Sequence, residues 1–400
     1  MIEIKDKRNC CGCGSCSSIC PKSCVSMKPD EEGFLYPSVD RENCINCGLC
    51  VKVCPILNRK EEQEKEQKAF LVQHVDDVIL RESTSGGAFT AIATSIIEKG
   101  GVVFGASLNE NFECCHTFVE SVSGLSKFRN SKYVQSKIGN SFVQTKKFLK
   151  EGRFVCFSGT PCQVEGLLAF LGTDYENLII VDVVCRACPS PKVLEKYLNV
   201  QSSQGDLRKV LFRNKYYGYK YSTLSLFRDL EGDYHEGIDT DVYLRAFFSN
   251  LSVRPSCYSC AFKKRYRLSD LTIWDCFDVY KYSNKLNNDK GVTKVLVQSE
   301  KGLLWLELAK KYLNVQAVIP DDLIKGNREM FNSVSYNSKR EQFFEELNQM
   351  EPRIVFEKYF PITFRHRIEK KIRLFCIRWG VYSFAKMMFN KVRGQREIER

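Results

Sequence analysis

Two periodicities run through most of the chain. Short runs rich in β-branched and aromatic residues, Val102-Val103-Phe104-Gly105-Ala106, Arg153-Phe154-Val155-Cys156-Phe157 and Leu178-Ile179-Ile180-Val181-Asp182-Val183-Val184, read as strands. Around them, apolar residues recur at helical spacing from Ala88 to Glu98 and from Pro191 to Leu198, which predicts helices there. Strands alternating with helices put the body of the chain in the α+β or α/β class, without fixing strand order. At 400 residues and 44% hydrophobic composition, the chain can bury one large core, or two moderate ones, beside a small module. No run of about 18 apolar residues occurs, which argues against a transmembrane helix.

Three stretches break the pattern. Residues 1–58 form a cysteine-rich block with an internal repeat, each half closing on Cys-Pro. Residues 59–68 read Arg-Lys-Glu-Glu-Gln-Glu-Lys-Glu-Gln-Lys, with nothing apolar to bury, and are expected to be a solvated linker at a domain boundary. Residues 360–400 form a basic tail in which Ile368, Ile372, Phe375, Trp379 and Tyr382 recur at helical spacing among Lys370, Lys371, Arg373, Arg378 and Lys386. Such a helix suits an anionic membrane surface, although docking on the body or on a partner is the preferred reading.

Cysteine chemistry decides the character of the block. Ten of the twenty cysteines lie between Cys10 and Cys54. The first run is Cys10-x2-Cys13-x2-Cys16-x3-Cys20-Pro21 and the second Cys44-x2-Cys47-x2-Cys50-x3-Cys54-Pro55, the spacing of a bacterial-type ferredoxin with two 4Fe-4S clusters. Two-residue gaps let a tight turn wrap three thiolates around one face of a cube, and the fourth ligand comes from the other run. Cys10, Cys13, Cys16 and Cys54 are therefore assigned to one cluster, and Cys44, Cys47, Cys50 and Cys20 to the other. Gly12, Gly14 and Gly48 permit the positive φ that such turns require. Zinc ribbons rarely need three cysteines at two-residue gaps twice over. Cys11 and Cys24 are surplus to the eight ligands and are expected to be small apolar fillers.

Charge narrows the picture further. The formal net charge is +12, but residues 361–400 hold eleven Lys/Arg against three Glu, a net +8 of the total. The remainder is nearly balanced, so no nucleic-acid-binding body is expected. The first eight residues are too charged and too few for a secretory signal, and clustered cysteines in a reducing compartment serve as redox or metal ligands rather than staples. A cytoplasmic protein is expected, peripheral to the inner face of the membrane if the tail binds lipid.

Beyond the linker, five segments resemble a known family: Ser83-Thr84-Ser85-Gly86-Gly87, Ser131-Lys132-Tyr133-Val134-Gln135-Ser136, Ser158-Gly159-Thr160-Pro161-Cys162-Gln163, Val184-Cys185 with Pro189-Ser190-Pro191, and Arg254-Pro255-Ser256-Cys257-Tyr258-Ser259-Cys260. Over most of residues 68–300 the chain is similar to the coenzyme F420 hydrogenase/dehydrogenase beta subunits. The resemblance implies a small ferredoxin-like domain fused to a larger mixed α/β FAD-binding domain, with residues 69–150 as its flavin part and 151–350 as its C-terminal part. It implies FAD contacts at Thr84, Ser85, Gly86, Gly87, Lys132, Tyr133, Gln135 and Ser136. It also implies a third 4Fe-4S cluster on Cys162, Cys185, Cys257 and Cys260.

The residues themselves leave alternatives open. Ser83 to Gly87 is a small-residue turn opening a helix, suited to an anion or to plain N-capping. Cys162 and Cys185 also read as isolated buried cysteines, and Cys188 competes with Cys185 as a ligand. Where the family carries a Gly-Asp-Phe-Trp-like segment, this chain has Trp274-Asp275-Cys276-Phe277, which leaves the coenzyme open. His74, His116, His235 and His366 fall outside the matched motifs and are expected to be structural or surface residues, and no catalytic acid is named. The function expected is that of a flavin- and iron–sulfur-dependent oxidoreductase acting on an F420-type substrate or in a redox step of polysaccharide assembly. The alternatives are an electron relay docking to a catalytic partner and a metal-stabilised scaffold. A redox protein or a small-molecule donor would supply the electrons.

Overall fold

The computed structural model describes every residue except Gln204, Leu230, Glu231 and residues 383–400. The N-terminal block is folded around an antiparallel hairpin of β1 (Val25–Pro29) and β2 (Leu35–Val39), with Val25 opposite Val39. Each half of its sequence repeat closes on one helical turn, Ser15–Ser18 or Leu49–Lys52, and each turn opens at a left-handed glycine, Gly14 at φ 78° and Gly48 at φ 74°. Other residues are strained in that region, so the repeat in sequence is also a repeat in backbone.

The body is built on a mixed eight-stranded sheet. Chain order runs β3 (Lys68–His74), β4 (Val102–Leu108), β5 (Cys114–Val119), β6 (Val155–Gly159) and β7 (Leu178–Val183). An excursion follows, in which β8 (Leu207–Asn214), β9 (Thr223–Arg228) and β10 (Tyr234–Glu236) form a separate antiparallel sheet. The chain then returns with β11 (Leu271–Asp275), β12 (Thr293–Val297) and β13 (Leu313–Val318). The spatial order of the large sheet is β13-β3-β12-β11-β7-β6-β4-β5. Its centre, β11-β7-β6-β4, is parallel, with Val102 beside Val155, Val155 beside Leu178 and Val181 beside Leu271. Antiparallel strands flank the centre on both sides.

Alternation along the central strands makes two cores. Val103, Cys156, Ile179 and Val181 face the helices Ala88–Glu98 and Glu300–Ala309. Val102, Phe104, Val155, Phe157, Leu178 and Ile180 face the helices Ser141–Lys150 and Pro161–Leu171. Each fully buried side chain of this kind contributes about 1.5–3 kcal/mol, so the sheet, covered on both faces, is a rigid platform for the loops at its ends. The fold is thus mixed α/β with a small ferredoxin-like region, in line with the alternation seen in the sequence: the helix Ala88–Glu98 has the predicted bounds, the strand Val102–Leu108 and the helix Pro191–Ser202 run further, the strand Val155–Gly159 starts and ends two residues later, and the strand Leu178–Val183 ends one residue earlier.

The N-terminal block is packed into the body. Phe34, at the turn of its hairpin, is fully buried among Val193, Tyr197, Phe212, Tyr243 and Phe343. Beside it, Gly33 lies against the backbone of Lys192, where an added Cβ would come within 2.7 Å of a nitrogen. Glu32 forms a buried bidentate pair with Arg340, whose guanidinium also donates to the Val253 carbonyl at 3.1 and 3.2 Å. The charged residues 59–67 have no regular secondary structure but follow the body: Glu62 accepts from the backbone amides of Arg265 and Tyr266, both at 2.7 Å, and Lys65 donates to the Arg267 carbonyl at 2.6 Å.

Of the basic tail, the helix Phe364–Arg378 is described, while residues 383–400, Lys386 included, lie outside the described residues. Two of its cations are spent on the body, Lys370 on Glu236 and Arg373 on Asp239 at 3.1 Å. No helix among the described residues is long and apolar enough to cross a membrane.

Candidate metal centres and the cavity beside them

All twenty cysteines are present as unbridged thiols. Four of the predicted ligands converge at the inner end of the N-terminal block: burial pushes the Cys16 thiol up, and Cys13, Cys10 and Cys54 push it further as neighbouring like charges. Cys20, Cys44, Cys47 and Cys50 converge at the outer end around a void of about 20 Å³. Cys54 thus lies beside the first run and Cys20 beside the second. Cys24 lies between Cys20, 3.3 Å away, and Cys44, as a buried thiol behind the outer group.

The inner group is clamped to the body. The helix Pro161–Leu171 starts from Thr160, whose hydroxyl and backbone form a reciprocal cap with Gln163. This places Cys162 in the first turn, with the Thr160 hydroxyl 3.2 Å from its sulfur. One turn later, Gly166 has no side chain, and Cys13 and Ser15 occupy the space a Cβ would fill, with the Ser15 hydroxyl donating to the Gly166 carbonyl at 2.7 Å.

A third group of thiols lies on the other side of Cys162. Cys185, at the end of β7, is raised by burial and then by Cys257, Cys162 and Cys260. The pair at 257 and 260 is brought there by the short 3-10 turn Pro255–Ser259. Cys188 is close as well, but its backbone amide donates to the Cys257 sulfur at 3.3 Å. Cys185 has Cys257, Cys162 and Cys260 as electrostatic neighbours, and Cys188 has Cys257, Cys185 and Cys162, so both remain candidates.

Cys11, expected to be a filler, connects the groups. Its thiol is hydrogen-bonded to both Cys13 and Cys162, and these bonds together with burial hold its proton on; the same contact is the main reason Cys13 is lowered to about 6. Nothing in the spacing could have revealed this, because Cys162 is distant in sequence.

The third group opens onto a cavity of about 970 Å³, walled by Cys11, Cys162, Cys185, Cys188, Cys257 and Cys260 on one side and by the small-residue turn at 83–87 on another. Twelve Lys and Arg side chains line it against three carboxylates, Asp275, Glu329 and Glu369. Three of its buried guanidinium nitrogens, Arg129 Nε, Arg186 Nε and Arg267 Nη2, have no hydrogen-bond partner among the described residues.

The predicted flavin-side residues separate into two sets. Thr84, Ser85, Gly87, Lys132, Tyr133 and Ser136 line the cavity. The Ser131 amide donates to the Thr84 hydroxyl at 2.7 Å, which joins two of the sequence motifs, and Lys132, lowered to about 8 by burial, donates to the carbonyls of Lys127 and Arg129. Tyr133 accepts from Arg213 at 2.9 Å. Gly86 turns away instead: its amide donates to the Thr293 hydroxyl at 2.8 Å, and a Cβ there would come within 2.3 Å of the Val72 carbonyl. That amide is not free for an anion, and neither is the Ser85 hydroxyl, which donates to the Val292 carbonyl at 2.6 Å. Gln135 reaches the wall but spends its carbonyl oxygen on the Leu35 amide at 3.0 Å, tying the ferredoxin hairpin to the body.

Two wall features carry no signal in the sequence. His116 is buried, with Nδ1 at 2.6 Å from the Ser136 hydroxyl and Nε2 at 3.0 Å from the Ser158 carbonyl; burial lowers it to about 4, and its ring orients Ser136. Arg213 bonds Asp275 at 3.1 Å, Tyr219 donates to the same carboxylate at 3.1 Å, and Phe277 lies under the guanidinium at 5.3 Å. Asp275 belongs to the segment that departs from the family pattern, and here its charge is already matched.

Residues 152–321 match the family described as the C terminus of the beta subunit of coenzyme F420 hydrogenase/dehydrogenase, and residues 9–57 match the 4Fe-4S dicluster domain. No curated protein matches the chain. Among solved structures it is similar to a chain in the xenon-derivatised F420-reducing NiFe hydrogenase complex from Methanosarcina barkeri, with 13% identity and a TM-score of 0.43 over 74% of this chain and 93% of that one. The cysteine motifs and the matched dicluster domain define an iron–sulfur protein. Residues 152–321 are thus similar to the C-terminal part of coenzyme F420 hydrogenase/dehydrogenase beta subunits, and residues 9–57 to a 4Fe-4S dicluster domain.

Proposed function

We propose that the chain is an iron–sulfur flavoprotein oxidoreductase in which three 4Fe-4S clusters and FAD connect an electron donor to a second substrate. The observation that carries this reading is the continuous line of thiols from the outer group through the inner group and Cys11 to Cys162, and from there to the cavity wall. Cys20, Cys44, Cys47 and Cys50 would hold the outer cluster, Cys10, Cys13, Cys16 and Cys54 the inner one, and Cys162, Cys185, Cys257 and Cys260 the third. The unpartnered guanidinium nitrogens and the excess of cations suit a dianionic pyrophosphate, so FAD would occupy the cavity against Thr84, Ser85, Gly87, Lys132, Tyr133 and Ser136. When bound, FAD supplies the exchange between single electrons and the two-electron chemistry of an organic substrate. The residues around it would exclude water and hold the pyrophosphate, with Asp275 paired to Arg213. The substrate is an F420-type coenzyme or an intermediate of polysaccharide assembly, and the donor a redox protein or small molecule.

Anaerobic purification followed by iron, sulfide and flavin analysis tests the reading. About twelve irons and one flavin per chain are expected. Replacing Cys257 with Ser should lower iron to about eight and leave the ferredoxin signals intact. Zinc without sulfide would sink the redox assignment, and clusters without flavin would sink the flavoprotein one. The relay reading is favoured by one observation, the exposed apolar side chains Phe364, Phe375 and Trp379 on the C-terminal helix, which suit a partner surface. Bound FAD that no small molecule, F420 included, can reoxidise would move the assignment to a relay.

A further inference from the structure

Arg254 is among the largest fully buried side chains of the protein, 1% exposed, and no carboxylate pairs with it among the described residues. Its guanidinium donates to the Cys10 carbonyl at 2.8 Å, the Leu35 carbonyl at 3.0 Å and the Gln135 side-chain oxygen at 3.4 Å, and lies 4.2 Å from the centre of the Tyr36 ring. All these partners are neutral. A permanently charged group taken out of water among neutral partners is strongly disfavoured unless an anion compensates it.

The ionisable groups that face Arg254 come from both sides. Cys10 of the inner group, Cys11 between the groups and Cys188 beside the third group are its neighbours, together with Tyr36. Its own backbone belongs to the third group, since its amide donates to the Cys188 carbonyl and its carbonyl accepts from the Cys257 amide, both at 2.9 Å. Gly12 makes the approach to the inner group sterically feasible, because a Cβ there would sit 2.9 Å from the guanidinium.

We propose that Arg254 is the shared counter-cation of the inner and third clusters. This rests on the cluster assignment above. Four thiolates make each cluster anionic, and a fixed cation in a dry, low-dielectric position favours the reduced, more negative form of both. The outer cluster, on the far side of the inner one, does not share it. Arg254 is thus a positioning and charge-matching residue that makes reduction of the inner and third clusters easier relative to the outer one and locks the ferredoxin block against the body.

Reductive titration followed by EPR on anaerobic holoprotein tests this, with the third cluster's signal identified by its loss in C257S. In Arg254→Met, two of the three midpoint potentials should move to more negative values while the outer cluster's stays in place. Arg254→Lys, which keeps the charge, should restore most of the shift. Unchanged potentials in Arg254→Met at full iron content, or an equal shift in Arg254→Lys, would overturn the proposal and leave a mechanical clasp. Should Arg254→Met fail to retain iron, Gln135→Glu places a carboxylate against the guanidinium and must lower the same two potentials; no shift there overturns it too. Iron content of the unmodified chain reads the cluster assignment separately, and about eight irons would remove the sharing while identifying the third site as the error.

Discussion

The two halves of the cysteine block have the same ligand spacing and the same backbone, yet they occupy opposite environments. The inner half has Gly12 against Gln135 and Arg254, Ser15 on Gly166, and Cys11 reaching to Cys162. The outer half has nothing within 4 Å of a Cβ at Gly48, an exposed Cys47 and an Ile45 that is 59% exposed. The repeat builds two equivalent sites, and docking against the body makes them different. One end faces solvent, where a donor can approach, and the other faces the cavity. A symmetric motif therefore becomes directional through its surroundings alone.

Breaking the dock should have the largest effect. Glu32→Ala leaves Arg340 buried without its partner and is expected to cost roughly 3–5 kcal/mol, measured by chemical denaturation. Its counterpart in the exposed part of the block, Arg41→Ala, removes a 3.9 Å pair with Glu3 on the surface and should cost under about 0.5 kcal/mol. Equal losses would mean that the block does not rely on the interface.

Acid should act on the body before the block. His116 stays neutral in the folded protein down to about pH 4, whereas an unfolded chain takes up that proton from about 6.5. At this imidazole only the unfolded state gains a proton in that window, so its contribution to stability falls as pH drops from 6.5 to 4, by about 3 kcal/mol in full. Residues 1–58 contain no histidine. Thermal melts of His116→Gln should show a flatter acid limb than the unmodified chain; an identical limb would remove His116 as its source.

Two glycines sharpen the comparison at a smaller scale. Gly48→Ala meets no neighbour and should cost only the left-handed strain, about 1–2 kcal/mol. Gly12→Ala adds contacts of 2.4 Å with Gln135 and 2.9 Å with Arg254, and overpacking of that kind costs about 1–3 kcal/mol more. Denaturation midpoints that rank the two the other way would contradict the inner and outer assignment.

Much of this was legible beforehand, for reasons that differ by region. The eight ferredoxin cysteines could be read because all the contacts that define each run lie within a few residues, and a tight turn leaves little choice of spacing. Strands such as Leu178–Val183 and the helix Ala88–Glu98 could be read because burial on both faces, or on one wide face, imposes its period on the residues. Gly86 could not be read correctly, since a glycine that supports a ligand and a glycine that makes room for a neighbouring strand look alike in sequence. Gln135 belongs to the same class: its motif pointed to a cofactor, while its side chain is occupied by the Leu35 amide.

The sequence by itself determined the two four-cysteine runs, their spacing and the α/β character of the body, because local geometry and periodic burial are written along the chain. Only the tertiary structure decided which half of the repeat is inner, that Cys11 lies between two groups of thiols, that Cys185 and Cys188 both come close to Cys162 and Cys257, and that Arg254 sits, among the described residues, without a carboxylate between them. Each of these depends on contacts between residues far apart in the chain, where closeness follows from how the sheet and its loops pack and not from any pattern a neighbouring residue carries.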